Sequence, residues 1–331
     1  MNGSISPEQL AQMSAEMAAI KNELADLRGR SQAILQLAPE LAAVKNELAE
    51  VRVQFGLLEK RQILPLDDGM LAIRHALGWI VTPQEDFATV AHLANGFAGH
   101  ELGTLDVMRR FVREGDTVLD LGAHIGLHTI PLAHAVGSGG RVISVEPLPR
   151  TAECLRRSLI CNGLFARCEL VVAAAGDENG HSTFYLGGNS MLGSLYPLVD
   201  DQRSVQVREI RIDDYVGNDR RIDFVKLDVE GAEIKALEGM HQMIARNPDI
   251  GLIAEFGASH LERVGIEPSD WFAAFTNAGL PAAFVIDESS GTLSEARVDQ
   301  VVSVDSVNIL FVRDARRLAD VGLTPDAGTD S

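Results

Sequence analysis

Positive charge is scarce in this chain: 29 lysines and arginines stand against 47 aspartates and glutamates in 331 residues, a formal net charge of −18. Binding nucleic acid through its phosphates needs a basic face, so nucleic acid is not an expected partner. An anionic membrane surface is disfavoured for the same reason. No apolar stretch reaches the roughly 18 residues of a membrane span, and the start lacks the basic-then-apolar pattern of an export signal. The expectation is a soluble, cytoplasmic protein. Cysteine is sparse too: Cys154, Cys161 and Cys168 stand seven apart, which suits neither the close pairs of a zinc site nor an even disulfide framework. Reduced thiols are expected, and the length allows one large core plus an appendage.

What the chain does contain is concentrated around Val118-Leu119-Asp120-Leu121-Gly122-Ala123-His124-Ile125-Gly126, with Val142-Ile143-Ser144-Val145-Glu146 following. An apolar run ends in a carboxylate, turns on two glycines and leads into a helical pattern; a second apolar run ends in another carboxylate. Open parallel sheets hold nucleoside ligands this way, with glycines that let the backbone approach and an acid at the second strand tip for the ribose hydroxyls. A dinucleotide turn needs Gly-x-Gly-x-x-Gly, whereas here the glycines lie four apart and His124 stands where the middle glycine would be. Asp120 would repel a diphosphate but welcome an ammonium and a sulfonium. The pattern therefore favours S-adenosylmethionine over nicotinamide or flavin.

Residues 1–60 are of a different kind. Leu10, Met13, Met17, Ile20, Leu24 and Leu27 step by three and four, as do Leu41, Val44, Leu48, Val51, Phe55 and Leu58, which makes a heptad seam. The segment repeats itself at an offset of 24, and Pro39 interrupts it. Two helices folded as a hairpin and a coiled coil joining two or more chains both fit; an oligomerising coil is preferred because an isolated hairpin has little to bury. Residues 61–110 read as a helical lead-in that covers the active site. From 111 to 315 strands and helices alternate. Strand-like runs lie at 117–121, 142–146, 169–173, 222–228, 250–256, 282–286 and 306–312, and helical patterns at 126–136, 148–162, 232–245 and 268–278. Early βα alternation implies a parallel sheet, and the turn Asp287-Glu288-Ser289-Ser290-Gly291 points to an antiparallel pair at its end. Residues 316–331 read as a frayed tail.

Several blocks in order resemble the FkbM family of class I S-adenosylmethionine-dependent methyltransferases, from about Phe97 to Val312. They are Gly99-His100-Glu101, the segment from Glu114 to Gly126, Val145-Glu146-Pro147 with Leu155 and Asn162-Gly163, Ile210-Arg211-Ile212-Asp213-Asp214, and Phe224-Val225-Lys226-Leu227-Asp228-Val229-Glu230-Gly231-Ala232-Glu233. The resemblance implies a Rossmann-like sheet of seven strands, mostly parallel with antiparallel end strands, here preceded by the coil. It also implies hydroxyl acceptors on sugars, glycans or specialised metabolites. Similar proteins usually carry Asn at His124; both residues can donate a hydrogen bond to a carboxylate.

The expected cofactor contacts are Glu101, Asp120, Gly122, Ala123, His124, Gly126, Glu146, Pro147, Asp177 and Asp228. Glu146 would accept both ribose hydroxyls, Asp120 would attract the ammonium, and Asp177 follows the third strand, where these enzymes hold the adenine edge. The expected catalytic set is Asp228, Glu230, Glu255, Glu101 and His100, with Asp228 or Glu230 as general base for a hydroxyl acceptor. For Asp228 a structural ion pair with Lys226 competes, and for Glu233 a place in the first turn of a helix, where the dipole favours a carboxylate. A magnesium ion bridging Asp228 and Glu255 is a less favoured variant. His128 is left open, and His75, His92, His134, His241 and His260 read as surface or core residues. Gly187 to Ser194 reads as a loop over the acceptor or an ordinary connector. Other readings are a scaffold that binds the cofactor without turnover, and a protein methyltransferase.

Overall fold

The computed structural model describes residues 63–94, 101–187, 193–197, 203–302, 304 and 306–325, together with Met17, Ala19 and residues 21–27. The chain divides into two compact units, Met1–Lys60 and Arg61–Ser331. In the first unit the described residues are helical and Met17, Leu24 and Leu27 are exposed. The remaining seam positions, and with them the pairing expected of a coil, lie outside the described residues. No helix among the described residues is long and apolar enough to cross a membrane.

The second unit opens with an antiparallel three-stranded meander, β1 (Ile63–Pro65), β2 (Met70–His75) and β3 (Gly78–Pro83). This corrects the expected helical lead-in, since among the described residues helices appear there only at Phe87–Ala94 and Leu102–Phe111. The signal was local: Asp68 and Gly69 both adopt positive φ, 56° and 64°, the turn that Asp-Gly favours between paired strands. The meander docks on the helix Pro149–Cys161 through polar anchors. Ser158 Oγ accepts the Val81 N–H at 2.8 Å, and Asn162 clasps both backbone groups of Trp79, at 2.9 and 2.7 Å.

The main sheet contains β4 (Thr117–Leu121), β5 (Arg141–Glu146), β6 (Cys168–Val172), β10 (Phe224–Leu227), β11 (Gly251–Gly257), β12 (Ala282–Ile286), β13 (Leu293–Glu295) and β14 (Ser306–Val312). Its order is β13-β12-β14-β11-β10-β4-β5-β6. All seven expected runs are strands, and the short β13 makes an eighth at the edge. The five strands from β6 to β11 are parallel, while β14 runs antiparallel between β11 and β12. Apolar residues cover both faces: Val118, Val142 and Phe224 belong to one core cluster, and Leu119, Ile143 and Val225 to the other. Burial on both faces is why these strands read as continuous apolar runs. A third sheet, β7 (Ala174–Gly176), β9 (Ser204–Arg211) and β8 (Gly180–Tyr185), lies beside it.

Two further expectations change. The pattern at 232–245 is two helices, Glu233–Glu238 and His241–Arg246. They part at Gly239, where a Cβ would meet the Gly176 carbonyl at 1.8 Å. Asp213 starts the second helix by accepting the N–H groups of Gln242 and Met243, at 3.1 and 2.7 Å. The segment from Arg316, read as a frayed tail, forms a helix to Asp320, and Leu318 and Leu323 enter the core. Residues 326–331 lie outside the described residues.

From β4 the chain adds β5 and β6 on one side, then returns to place β10 and β11 on the other. That reversal opens a crevice beyond the carboxyl ends of β4 and β10, the place where such sheets bind ligands.

Candidate active site

A cavity of about 250 Å³ occupies this crevice. Of the expected residues, Glu101, Gly122, Ala123, His124, Glu146, Pro147, Asp228, Glu230 and Glu255 line it. Asp120, Gly126 and Asp177 do not, and His100 lies outside the described residues.

The loop after β4 crosses between two strand ends. The N–H groups of Gly122 and Ala123 both donate to the Val145 carbonyl at 3.0 Å. Gly122 has φ 86°, and a Cβ there would meet the Asp228 carbonyl at 1.8 Å. Gly126 has φ 102°, and its Cβ would meet Leu155 at 2.7 Å. These glycines are therefore required first by close protein packing; only Gly122 also faces the cavity. His124 takes a left-handed φ of 47°, uncommon outside glycine. Its backbone N–H donates to Glu146 Oε2 at 3.0 Å, while the Leu148 N–H donates to Oε1 at 3.0 Å. Burial pushes the His124 imidazole down to about 4, so it is neutral at pH 7.

Each oxygen of Glu146 thus holds one backbone N–H and keeps a second acceptor position, the arrangement a vicinal diol requires. Burial raises this carboxyl to about 7 against the pull of those two N–H groups. Beside it Leu148, Ala174, Phe184 and Leu195 make an apolar slot. Behind the loop Asp120 is fully buried, and Thr129 Oγ1 donates to its Oδ2. Its Oδ1 has no hydrogen-bond partner among the described residues, and burial raises its pKa. A buried acceptor without a donor suits an ammonium or a water that carries one. The diol site and the apolar slot fit the ribose and adenine of S-adenosylmethionine, while Asp120 sits behind the loop, outside the cavity lining. Asp177, by contrast, is 3.3 Å from Lys235 Nζ and away from the cavity.

The other end of the cavity is acidic. Lys226 is fully buried, with Nζ 3.1 Å from Asp228 Oδ2. The competing ion pair therefore exists, in register with Asp120 on β4. Burial works against a charged Asp228, but Lys226, the hydrogen bond with Glu255 and the charge of His128 together hold the pKa below the ordinary range. Glu255 is pushed well above its ordinary range by burial and by the charge of Asp228, and Ser306 Oγ donates to it. Asp228 is thus shifted towards its ionised form and Glu255 towards its protonated one. Glu101 is kept ionised despite burial by His128, whose Nε2 lies 2.9 Å from Oε2, and by Asn308, which donates at 2.9 Å. The nearest oxygens of Asp228, Glu230 and Glu255 lie within 4.8 Å of one another.

Glu230 adopts a left-handed φ of 55°. Burial, then Asp228 and Glu233, raise its carboxyl to about 8. Glu233 stays outside the cavity lining and accepts the N–H groups of Gly231 and Val229, at 3.1 and 3.4 Å. It holds the turn, as the structural reading had it. Sequence reasoning missed His128 and His260, the latter with Nε2 3.2 Å from Glu230 Oε2. Their partners are far away in the chain, so no local spacing marks them.

The methyltransferase FkbM domain model matches residues 120–280. This stretch is an FkbM methyltransferase domain. It contains the β4 loop, Glu146 and the acidic end of the cavity. The chain is also similar to two curated proteins of Archaeoglobus fulgidus. Protein-L-isoaspartate O-methyltransferase 1 is 41% identical over 66 residues, 20% of this chain and 29% of that protein. Protein-L-isoaspartate O-methyltransferase 2 is 41% identical over 61 residues, 18% of this chain and 27% of that protein. The chain thus spans under a third of the length of either. Among solved structures, a SAM-dependent O-methyltransferase from Thermotoga maritima has a TM-score of 0.39 and 14% identity, covering 78% of this chain and 87% of that one. Aeropyrum pernix fibrillarin with natively bound S-adenosyl-L-methionine has a TM-score of 0.38 and 12% identity, covering 76% and 98%.

Proposed function

We propose that the FkbM domain of this chain transfers a methyl group from S-adenosylmethionine to a hydroxyl of a sugar, glycan or specialised metabolite, with a sugar hydroxyl favoured. The observation that carries this reading is the convergence of Asp228, Glu230 and Glu255 at one end of a cavity whose other end offers Glu146 and an apolar slot. Bound S-adenosylmethionine supplies an electrophilic methyl on a sulfonium, so alignment and charge control are left to the protein. Glu146 would hold the ribose hydroxyls, and Phe184 and Leu195 would enclose the adenine. A hydroxyl acceptor must also lose a proton, and Asp228 or Glu230 would take it.

The acidic end also bears on the alternatives. Asp228 and Glu101 are both held ionised, so an anionic acceptor such as an isoaspartyl carboxylate would be repelled where a neutral polyol would be hydrogen-bonded. Lys226 already supplies the cation beside Asp228, which makes magnesium the less favoured variant. Residues 1–60 we read as an oligomerising coil, tested by light scattering of the chain with and without them.

The test uses S-adenosylmethionine labelled on its methyl group, with host extract separated into polysaccharide, lipid, small-molecule and protein fractions. Label in a carbohydrate-containing fraction, lost in Asp228→Asn and unaffected by chelation, is the expected result. Label only in protein would replace the reading by protein methylation. Cofactor binding with no label in any fraction would favour the scaffold.

A further inference from the structure

Glu230 carries a side chain on backbone that glycine would adopt more easily, and it is followed by Gly231 at φ 97°. A non-glycine residue in the left-handed region persists only where its surroundings over-determine it. Here the grip comes from two elements distant in sequence. Ser194, fully buried on the segment after β8, donates from Oγ to the Glu230 carbonyl at 2.6 Å. Arg263, on the helix Ala258–Val264, donates from Nη2 to the same carbonyl at 2.6 Å. A Cβ at Gly231 would lie 3.0 Å from that guanidinium nitrogen, so the glycine leaves room for it. From below, Glu233 takes the N–H groups that flank Glu230. With the carbonyl held on one side and the flanking donors on the other, the turn is fixed and the Glu230 side chain lines the cavity. Its Oε2 lies 3.2 Å from His260 Nε2.

We propose that Ser194 and Arg263 are positioning residues that lock Glu230 in its left-handed conformation, so that its carboxylate receives the acceptor's proton. The inference rests on the methyl-transfer reading and goes beyond it by choosing between the two candidate bases. As the oxygen–methyl bond forms and the methyl–sulfur bond breaks, the acceptor O–H bond gives its proton to Glu230 and a neutral thioether remains. Asp228 is the poorer candidate because its charge is committed to Lys226. Ser194 lies at the end of the segment read from sequence as a loop over the acceptor, and its bridge to Tyr185 ties that end to the small sheet. Residues 188–192 lie outside the described residues.

The test needs no acceptor. In the full chain with 13C-labelled glutamate carboxyls, the resonance missing from Glu230→Gln reports Glu230. The groups facing it are Asp228 and Glu233 from its own turn, Lys226 from β10, Glu255 from β11, and His260 and Arg263 from the helix Ala258–Val264. A midpoint near the value of about 8 is expected in the native chain. In Ser194→Ala, a neutral change, the freed carboxylate should fall towards the ordinary value of about 4.3. Arg263→Ala is the second variant, read against the rise that losing a nearby cation alone would cause. Adenosylhomocysteine binding, measured by calorimetry on each variant, confirms that the fold is kept.

Once an acceptor fraction is known, Ser194→Ala should slow methyl transfer by roughly 10- to 100-fold, since a displacement of about 1 Å can cost that much. It should cost little more in a Glu230→Gln background, because both changes act through one group. An unchanged Glu230 midpoint in Ser194→Ala and Arg263→Ala, an ordinary midpoint in the native chain, or additive losses in the double variant would each overturn the proposal. If no fraction accepts methyl but the midpoint falls in the variants, the hydroxyl reading fails and the positioning stands.

Discussion

Lys226 offers the most direct check on the acidic end of the cavity. It is wholly buried, and its ammonium is 3.1 Å from Asp228, with Glu101 and Glu255 also drawing on its charge. Lys226→Met keeps the length of the side chain and removes the cation. Deleting one partner of a buried ion pair typically costs about 3–5 kcal/mol, because the other charge is left without compensation. The lower end applies here, since the Asp228 side chain keeps 22% of its surface open to the cavity.

The pH dependence follows from the sign of the shift. In the native chain Asp228 sits below its ordinary pKa, so its contribution is present above the unfolded value and is lost as pH falls through the folded one. Without Lys226, burial and Glu101 would raise it instead, and the variant would lose stability as pH rises. The gap between native and variant chains should therefore widen with pH. Urea denaturation at about pH 5, 7 and 9 measures it. Adding Asp228→Asn should recover about 1–3 kcal/mol by removing the stranded charge. A single variant within about 1 kcal/mol of the native chain at pH 9, or a double variant no more stable than the single one, would refute the account.

Two other outcomes follow from the cofactor end. Glu146 lies near a pKa of 7 because of burial, and a diol hydrogen-bonds its ionised form, so adenosylhomocysteine affinity should fall up to tenfold per pH unit below that value. Calorimetry should show this slope in the native chain and its loss in Glu146→Gln; a flat native profile would remove Glu146 from the ribose site. Gly122→Ala would place a Cβ 1.8 Å from the Asp228 carbonyl at a φ of 86°. The left-handed backbone alone costs about 1–2 kcal/mol, and the clash would part β4 from β10, so both melting temperature and cofactor binding should drop. A melting temperature within about 2 °C of the native value would contradict the packing role of this glycine.

The parallel core of the fold was legible because both faces of its strands are buried, which leaves runs such as Val118–Leu121 and Phe224–Leu227 apolar except for the buried Asp120 and Lys226. The loop glycines and strand-end acids were legible because they lie within a few residues of those runs. The opening meander showed only its Asp68-Gly69 turn locally, because its strands are short and the polar anchors that seat it, Ser158 and Asn162, lie on and just after a helix about 80 residues later. The structured end beyond Arg316 was hidden likewise, since small polar surroundings conceal the single buried contacts of Leu318 and Leu323.

For the site, the sequence by itself determined which residues gather at the crevice, because strand ends and loop spacing place Gly122, Glu146, Asp228, Glu230 and Glu255 there. Only the tertiary structure decided what state each is in. Asp228 is shifted towards its charged form and Glu255 towards its protonated one, because the buried Lys226 pairs with Asp228 and the Asp228 charge acts on Glu255. Asp120 turned out to lie behind the cavity wall and Asp177 outside it. His128, His260, Ser194 and Arg263 acquire roles only through partners that folding brings near. Burial and distance set protonation and aim, and neither is written in the order of residues.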